Sequence, residues 1–144
     1  MGSVEERFAD ALHNAARVWR QAVDRRLNGL GVSQASWMTI TVAAKAKSPL
    51  SQSELAERLA VEGATMVSMV DRLVKAGLVR REPSTTDRRV KHVALTEAGE
   101  RLHGKVRIEA AAVRRELLAD VEPKQLLAAT ELLEKLHAMI EAHH

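Results

Sequence analysis

Apolar residues near the start of the chain recur at intervals of three and four, the spacing of one face of an α-helix. A first helix is predicted from Val4 to about Asn28, with a length of roughly 37 Å at 1.5 Å per residue. Its apolar stripe is too long to be covered by one small core, so part of it is expected to meet a second subunit. Ser33 is predicted to cap a second helix that runs through Ala46.

The next segment contains the pattern of two short helices joined by a turn. Ser51 and Glu54 have the spacing of a capping box, in which each side chain bonds to the backbone N–H of the other residue. A helix therefore begins near Gln52, and Gly63 is expected to supply the positive φ that ends it. A second helix follows and stops at Gly77. This arrangement matches a helix-turn-helix, whose second helix can enter the DNA major groove.

Two β-prone runs, 78–82 and 90–95, flank a turn-rich segment at 83–89. They predict a hairpin, or wing, with a basic tip, and Leu50 is expected to add a short strand beside it. From Arg72 to Lys91 seven basic residues stand against two acidic ones, a local net charge of +5, whereas the whole chain carries only +3. Positive charge concentrated on one module is typical of a surface that binds phosphates.

Helical patterns return after the hairpin. Thr96 is predicted to cap a long helix, and Pro123 suits the first turn of a final one with near-heptad leucine spacing. Apolar stripes at both ends of the chain would be exposed in a monomer, so a homodimer is expected. The predicted fold class is α+β, mostly helical: one domain over 1–144, with a winged helix-turn-helix at about 33–99 between dimerisation helices at about 4–29 and 97–142.

Composition narrows the function. The chain has no cysteine, which excludes disulfides, thiolate metal sites and redox-sensing thiols. Aromatic residues make up only 2% of the chain, so few rings are available for stacking on single-stranded bases, and duplex DNA is favoured. No run approaches the length of about 20 apolar residues needed to span a membrane, and a signal pattern is absent, so a cytoplasmic location is expected.

The motif Asp87-x-Arg89 followed by Leu95-Thr96-x-x-Gly99 resembles the wing signature of the MarR/SlyA transcriptional regulators. Upstream, three shorter motifs resemble the SlyA branch: Arg17-Val18-Trp19-Arg20, Asp24-x-Arg26-Leu27 and Gln34-x-x-Trp37. The resemblance covers nearly the whole chain. It implies a homodimeric, sequence-specific regulator of double-stranded DNA with a pseudo-palindromic operator, acting as a repressor whose DNA affinity is lowered by a small ligand.

Residues expected to contact DNA lie on the second helix of the helix-turn-helix and on the wing. They are Thr65, Ser68, Arg72, Asp87, Arg88, Arg89 and Lys91. In the family, the arginine that corresponds to Arg89 reaches into the minor groove, where narrow A·T-rich segments have a deeper negative potential. The alternative is a solvated turn charge at Arg89 and an ordinary amphipathic helix with its polar residues in water. Ser68 stands where many relatives have arginine, and serine cannot make the bidentate contact with guanine.

A small-molecule site is expected near Trp19, Arg20, Trp37 and Thr41. The resemblance implies a cleft that admits aromatic acids where the helical arm meets the winged module, with Arg20 inside it. A guanidinium offers a bidentate fork for a carboxylate, and an indole offers apolar contact for a ring. The alternative is that both tryptophans are core residues.

Other classes of function have weaker support. His137 and Glu141 are four residues apart and could chelate a metal, but no cysteine or further histidine is placed to complete a tetrahedral set. We therefore predict neither a metal nor another cofactor. No catalytic constellation supports an enzyme. An architectural or counter-silencing DNA-binding protein that needs no effector remains the alternative to a ligand-controlled regulator.

Overall fold

The computed structural model describes residues 2–143, which fold into six α-helices and one three-stranded antiparallel sheet. The contacts divide the chain into two units, one that ends at Ala111 and one that begins at Ala112. The elements of the first unit are α1 (Val4–Leu27), a 3-10 turn (Asn28–Leu30), α2 (Gln34–Lys45), β1 (Leu50–Ser51), α3 (Gln52–Leu59), α4 (Gly63–Lys75), β2 (Val79–Pro83) and β3 (Lys91–Leu95). Helix α5 (Glu97–Leu118) continues into the second unit, which also contains α6 (Pro123–Ala142). The predicted fold class is confirmed.

Short polar side chains set the helix starts. The Ser33 hydroxyl oxygen accepts from the Ser36 N–H at 3.2 Å, which confirms the predicted cap of α2. At α3 both halves of the capping box are present: the Ser51 hydroxyl accepts from the Glu54 N–H at 3.1 Å, and the Glu54 carboxylate accepts from the Ser51 N–H at 2.9 Å. The backbone N–H of Ser51 is the main reason why the pKa of Glu54 lies below its ordinary value.

The turn between α3 and α4 differs from the sequence prediction. The left-handed residue is Ala60, with φ 55°, whereas Gly63 is the first residue of α4. The chain reverses directly at the end of α3, where the Ala60 N–H bonds back to the carbonyl oxygens of Ala56 and Glu57. The positive φ therefore falls three residues earlier than expected. A Cβ in this conformation costs about 1–2 kcal/mol.

The sheet has the order β1-β3-β2 and covers one side of the helix-turn-helix core. Leu50 pairs with Val93, so the short strand predicted at Leu50 is confirmed. Strands β2 and β3 pair in register from Val79 opposite Leu95 to Pro83 opposite Lys91, which forms the predicted wing. The core contains Ile40, Leu50, Leu55, Ala56, Met66, Met69, Val70, Leu73, Val79 and Val93.

A compact joint connects the end of α4, the wing and α5. The Thr96 hydroxyl donates to the Gly77 carbonyl oxygen at 2.6 Å and accepts from the Gly99 N–H at 3.1 Å, so Thr96 caps α5 as predicted. The Thr96 N–H also donates to the Leu78 carbonyl oxygen. A Cβ at Gly99 would overlap this same oxygen, so the position requires glycine. The Thr96-x-x-Gly99 part of the wing motif therefore has a structural role.

Both units leave large apolar side chains in contact with solvent. On α1 these are Val4, Phe8, Leu12 and Val18, and on α6 they are Leu127, Leu132, Leu133, Met139 and Ile140. Helix α6 begins at Pro123, as predicted, and none of its residues is buried. Exposed apolar side chains are thus present on both helices that the sequence predicted to form the dimer, and their role in dimerisation stays a prediction. Within residues 2–143, no helix combines the length and apolar character needed to cross a membrane.

Candidate nucleic-acid interface

Helix α4 has one buried face and one exposed face. Met66, Met69, Val70 and Leu73 are buried against the core. At 100° per residue the opposite face carries a mostly polar set, with charges concentrated towards the C-terminal end. Its exposed members are Ala64, Thr65, Val67, Ser68, Asp71, Arg72, Val74 and Lys75. The three helix residues predicted to contact DNA, Thr65, Ser68 and Arg72, therefore all lie on the solvent side.

The tip of the wing is closed by its own hydrogen bonds. The Ser84 N–H donates to the Val90 carbonyl oxygen at 2.9 Å, and the Val90 N–H donates to the Asp87 carbonyl oxygen at 3.0 Å. The Ser84 hydroxyl is buried beneath the turn and accepts from the N–H groups of Thr86 and Asp87 at 3.2 and 3.3 Å. These four hydrogen bonds, all between residues of the tip, hold the turn in shape. Sequence reasoning treated Ser84 only as one of several turn residues and missed this role.

Asp87 and Arg89 face each other at the tip. The Asp87 carboxylate accepts from the Arg89 backbone N–H at 3.0 Å and from Arg89 Nε at 3.4 Å. The Arg89 side chain is 92% exposed, so this ion pair contributes little to stability. Its effect is on orientation, because it restrains the guanidinium while leaving it open to solvent. Arg88 and Lys91 are also exposed.

Two of the seven basic residues counted between Arg72 and Lys91 form hydrogen bonds within the protein. Arg80 Nε donates to the Glu82 carboxylate at 2.6 Å, and one of its terminal nitrogens donates to the Leu95 carbonyl oxygen at 3.1 Å. Arg81 makes hydrogen bonds to α3 and α4. Fewer basic side chains are therefore available to DNA than the sequence count suggests. The other five basic side chains of the segment, all exposed, are Arg72, Lys75, Arg88, Arg89 and Lys91.

The four residues predicted to bind a small molecule lie in the first unit. Trp37 is half-buried, and its Nε1 donates to the Asp24 carboxylate on α1 at 3.1 Å. Trp19 is half-buried, whereas Arg20 is exposed. Thr41 is half-buried, and its hydroxyl oxygen has no hydrogen-bond partner within the described part of the chain. Asp24 was not predicted to bond to Trp37, since nothing in the sequence indicates how α1 and α2 pack.

A cavity of about 290 Å³ lies between α2, the end of α3 and the start of α4. Its lining is mostly apolar and includes three methionines: Met38, Met66 and Met69. Thr65, on the exposed side of α4, also lines the cavity. Flexible thioether side chains can adapt to apolar ligands of different shapes. Of the four predicted ligand residues, none is among those that line this cavity.

The histidines are the remaining candidate metal ligands of the sequence. Across residues 2–143 no group of three or more His, Asp or Glu side chains is close enough to hold a metal ion. His137 and Glu141 form an exposed pair at 3.6 Å. His103 on α5 differs from the surface histidines, because its Nδ1 is buried without a hydrogen-bond partner in the described residues. Burial, followed by the positive charge of Arg107, holds the pKa of His103 below its ordinary value.

Comparison with known proteins settles the family. A model of the MarR family matches residues 33–91. The structure of the transcriptional regulator PA3341 is 35% identical, with a TM-score of 0.86 and a match that covers 94% of this chain and 98% of that one. This chain belongs to the MarR family of transcriptional regulators. Regulators of the MarR family bind DNA and act as dimers.

Two more distant MarR-like structures share the fold. AbsC, a MarR family regulator from Streptomyces coelicolor, is 20% identical, with a TM-score of 0.81, and the match covers 99% of this chain and 97% of AbsC. CouR from Rhodococcus jostii RHA1, solved with p-coumaroyl-CoA bound, is 21% identical, with a TM-score of 0.79, and the match covers 94% of this chain and 95% of CouR. PA3341 and AbsC are both described as transcriptional regulators. The finer assignment to the SlyA branch stays a prediction.

Proposed function

We propose that this MarR family protein is a homodimeric repressor that reads a pseudo-palindromic DNA operator and releases it when a small ligand binds. The observation that carries this proposal is the restrained but exposed arginine at the tip of the wing. Arg89 is oriented by Asp87 on a turn that is closed by its own hydrogen bonds. The Arg89 guanidinium is thus presented to solvent at the end of a closed turn, where it can enter a narrow minor groove.

Helix α4 would read the adjacent major groove. Its exposed residues Ser68 and Arg72 would face base edges or phosphates, while Lys75 would add a phosphate contact near the end of the helix. Arg88 and Lys91 flank Arg89 and would fix the position of the wing on the DNA backbone. In DNA recognition, some side chains usually contact base edges and others contact phosphates.

A second copy of the chain would cover the exposed apolar residues of α1 and α6. Two recognition helices related by a two-fold axis would then meet half-sites about 10 bp apart, centre to centre. The exposed side chains Phe8 and Leu12 support this arrangement, because large apolar groups of this kind favour burial at an interface. A DNA target of this kind agrees with the cytoplasmic location predicted from the sequence.

The ligand is proposed to be a small aromatic carboxylate bound near Arg20. The exposed guanidinium would bind the carboxylate, and the half-buried Trp19 and Trp37 would supply apolar contact. The methionine-lined cavity beside α4 offers a second location, from which a ligand could act directly on Thr65 and the start of the recognition helix. CouR, with p-coumaroyl-CoA bound, provides a precedent for a related fold that accepts an aromatic acyl compound.

The test combines DNA footprinting with calorimetry. The purified protein is footprinted on the DNA that flanks its own gene, with and without salicylate, and salicylate is titrated into the wild type, Arg20→Ala, Met69→Ala and the DNA complex. We expect a symmetric footprint that salicylate weakens, and weaker binding of salicylate to the DNA complex by about 5–150-fold, as linkage requires. The variant that loses salicylate affinity identifies the site.

A footprint that is unaffected by salicylate, together with equal titrations in all four samples, would contradict the ligand-controlled repressor. It would favour the architectural or counter-silencing DNA-binding protein, which needs no effector. Absence of any footprint, at a salt concentration low enough to detect non-specific binding, would contradict both.

A further inference from the structure

Arg80 and Arg81 are neighbours in β2, but their side chains have different partners. The hydrogen bonds of Arg80 stay within the wing and its strands, at Glu82 and at the Leu95 carbonyl oxygen. Arg81 reaches out of the wing to the helix-turn-helix. Its Nε donates to the Gln52 side-chain oxygen on α3 at 2.7 Å, and one terminal nitrogen donates to the Val67 carbonyl oxygen at 3.4 Å.

The shortest Arg81 contact is with Asp71 on α4. The same terminal nitrogen lies 2.6 Å from the Asp71 carboxylate, and the Arg81 side chain is only 28% exposed. One guanidinium thus joins three elements: the wing strand β2 and both helices of the helix-turn-helix. Its planar shape suits this role because several donors leave it in fixed directions.

Asp71 lies on the exposed face of α4, among the residues proposed to meet DNA. It is next to Arg72 in sequence, and Ser68 and Lys75 are three and four residues away, so they share its side of the helix. The Asp71 side chain is 60% exposed, which leaves its negative charge close to any bound phosphate. An uncompensated carboxylate in this position would repel DNA.

We propose that Arg81 is a positioning residue for DNA recognition, which neutralises Asp71 and holds the wing against α4 without itself touching DNA. The proposal rests on the proposed DNA-binding function. Arg81 acts in two ways: it cancels a repulsive charge on the recognition helix, and it fixes the distance between that helix and the wing tip. The bond to Asp71 contributes to both effects. The bonds to Gln52 and to the Val67 carbonyl oxygen contribute only to the fixed distance between the helix and the wing tip.

The test is a double-mutant cycle with a matched control in the same strand. Arg81→Gln, Asp71→Asn and the double variant are compared with the wild type, and Arg80→Gln and Arg80→Gln/Asp71→Asn form the control set. Affinity is measured at fixed salt for two probes, a 30-bp duplex taken from the footprint and a scrambled duplex of the same length. Thermal unfolding is recorded for every variant.

We expect Arg81→Gln to weaken binding of both duplexes about tenfold, because it exposes the Asp71 charge to phosphates. Asp71→Asn alone should change affinity by less than about threefold, since Arg81 already compensates this charge. The double variant should regain the part of the affinity that was lost through the uncompensated Asp71 charge, and the part that stays lost measures the effect of the missing Arg81 bonds on the position of the wing. The melting temperature of the double variant should remain as low as that of Arg81→Gln, because the Asp71→Asn change does not restore the Arg81 bonds to Gln52 and Val67.

Recovery of affinity without recovery of stability separates compensation of the Asp71 charge from a purely structural role, in which affinity and stability would change together. If Arg81→Gln does not fold, Arg81→Lys serves instead: it keeps a cation beside Asp71 and should bind both duplexes within about threefold of the wild type. A double variant that binds as weakly as Arg81→Gln, or an equal rescue of Arg80→Gln by Asp71→Asn, would overturn the proposal. Failure of the DNA-binding function itself would appear separately, as a wild type that binds neither duplex.

Discussion

At the scale of single residues, the wing tip makes the sharpest prediction for DNA binding. Arg89→Ala should weaken operator binding by about 1–3 kcal/mol if the guanidinium reads the minor groove. Thermal unfolding should be unchanged, because the side chain is almost fully exposed. Quantitative gel shifts on operator and scrambled duplexes measure the effect.

Lys91→Ala is the matched control for Arg89. It removes a single exposed cation near the same tip, so affinity should fall by a similar factor on both duplexes. The slope of log affinity against log salt should decrease by about one. If Arg89→Ala behaved in the same way as Lys91→Ala on both duplexes, Arg89 would be a phosphate contact and not a base-reading residue.

Ala60 gives a prediction for stability. Its φ of 55° is strained for alanine, and glycine would remove the strain at some cost in unfolded-state entropy. The net result should be that Ala60→Gly stabilises the protein by about 0.5–1 kcal/mol. Urea unfolding measures this difference. Ala128→Gly, within the exposed helix α6, should have the opposite effect and destabilise by about 1 kcal/mol.

His103 predicts how stability depends on pH. Its pKa in the folded protein lies below the ordinary value of 6.5, chiefly because of burial and then because of Arg107, with Lys45 acting in the same direction and Glu100 opposing them. The unfolded chain therefore binds a proton more readily as the pH falls through 6.5, and stability decreases below that pH. Above it, both states are neutral and the effect vanishes.

The variant His103→Gln should lose this acid-dependent part. Urea unfolding at pH 8 provides the reference, and a second series at pH 5.5 shows the change. We expect the wild type to lose more stability between the two pH values than His103→Gln does. Equal losses would show that His103 does not contribute to the acid limb.

At the scale of elements, the joint between α4, the wing and α5 depends on one glycine. A Cβ at Gly99 overlaps the Leu78 carbonyl oxygen, so Gly99→Ala must displace the start of α5 and should destabilise the protein by about 1–3 kcal/mol. Gly104→Ala is the control in the same helix. A Cβ there meets nothing within 4 Å, so it should stabilise by about 0.5–1 kcal/mol. The same sign for both substitutions in urea unfolding would contradict this account.

The predictability of each element follows from the range of the interactions that determine it. The capping box of Ser51 and Glu54 and the cap by Thr96 could be predicted, because each involves residues three positions apart. The residue with positive φ could not be predicted. The sequence indicated Gly63, whereas the hydrogen bonds at the end of α3 place the positive φ at Ala60. Local sequence rules favour glycine and do not consider which carbonyl groups must be satisfied.

The candidate site shows the same distinction. The exposed face of α4 followed from helical periodicity, and the pairing of Asp87 with Arg89 is a local contact between residues two positions apart. The different environments of Arg80 and Arg81 did not, because the partners of Arg81 are 29, 14 and 10 residues away. A count of charges treats the two as equivalent, and only the packing of β2 against the helices separates them.

At the scale of the whole molecule, the apolar stripe of α1 predicts a dimer. Light scattering at micromolar concentration should give twice the mass of the chain, and Leu12→Glu should shift the equilibrium towards the monomer, because it places a charge within the stripe. Asn14→Glu, two residues away and off the stripe, should leave the mass unchanged. A monomeric wild type would contradict the prediction and, with it, the two-fold reading of half-sites.

The turn closed by Ser84 has a consequence for how this regulator can acquire new DNA targets. Because backbone groups and one buried hydroxyl hold the tip, the side chains of Thr85, Arg88 and Arg89 can be exchanged without changing the course of the loop. Natural selection or protein design can therefore vary these three positions while the backbone of the turn stays unchanged. The residues whose backbone and hydroxyl groups form the hydrogen bonds of the turn would have to be kept unchanged.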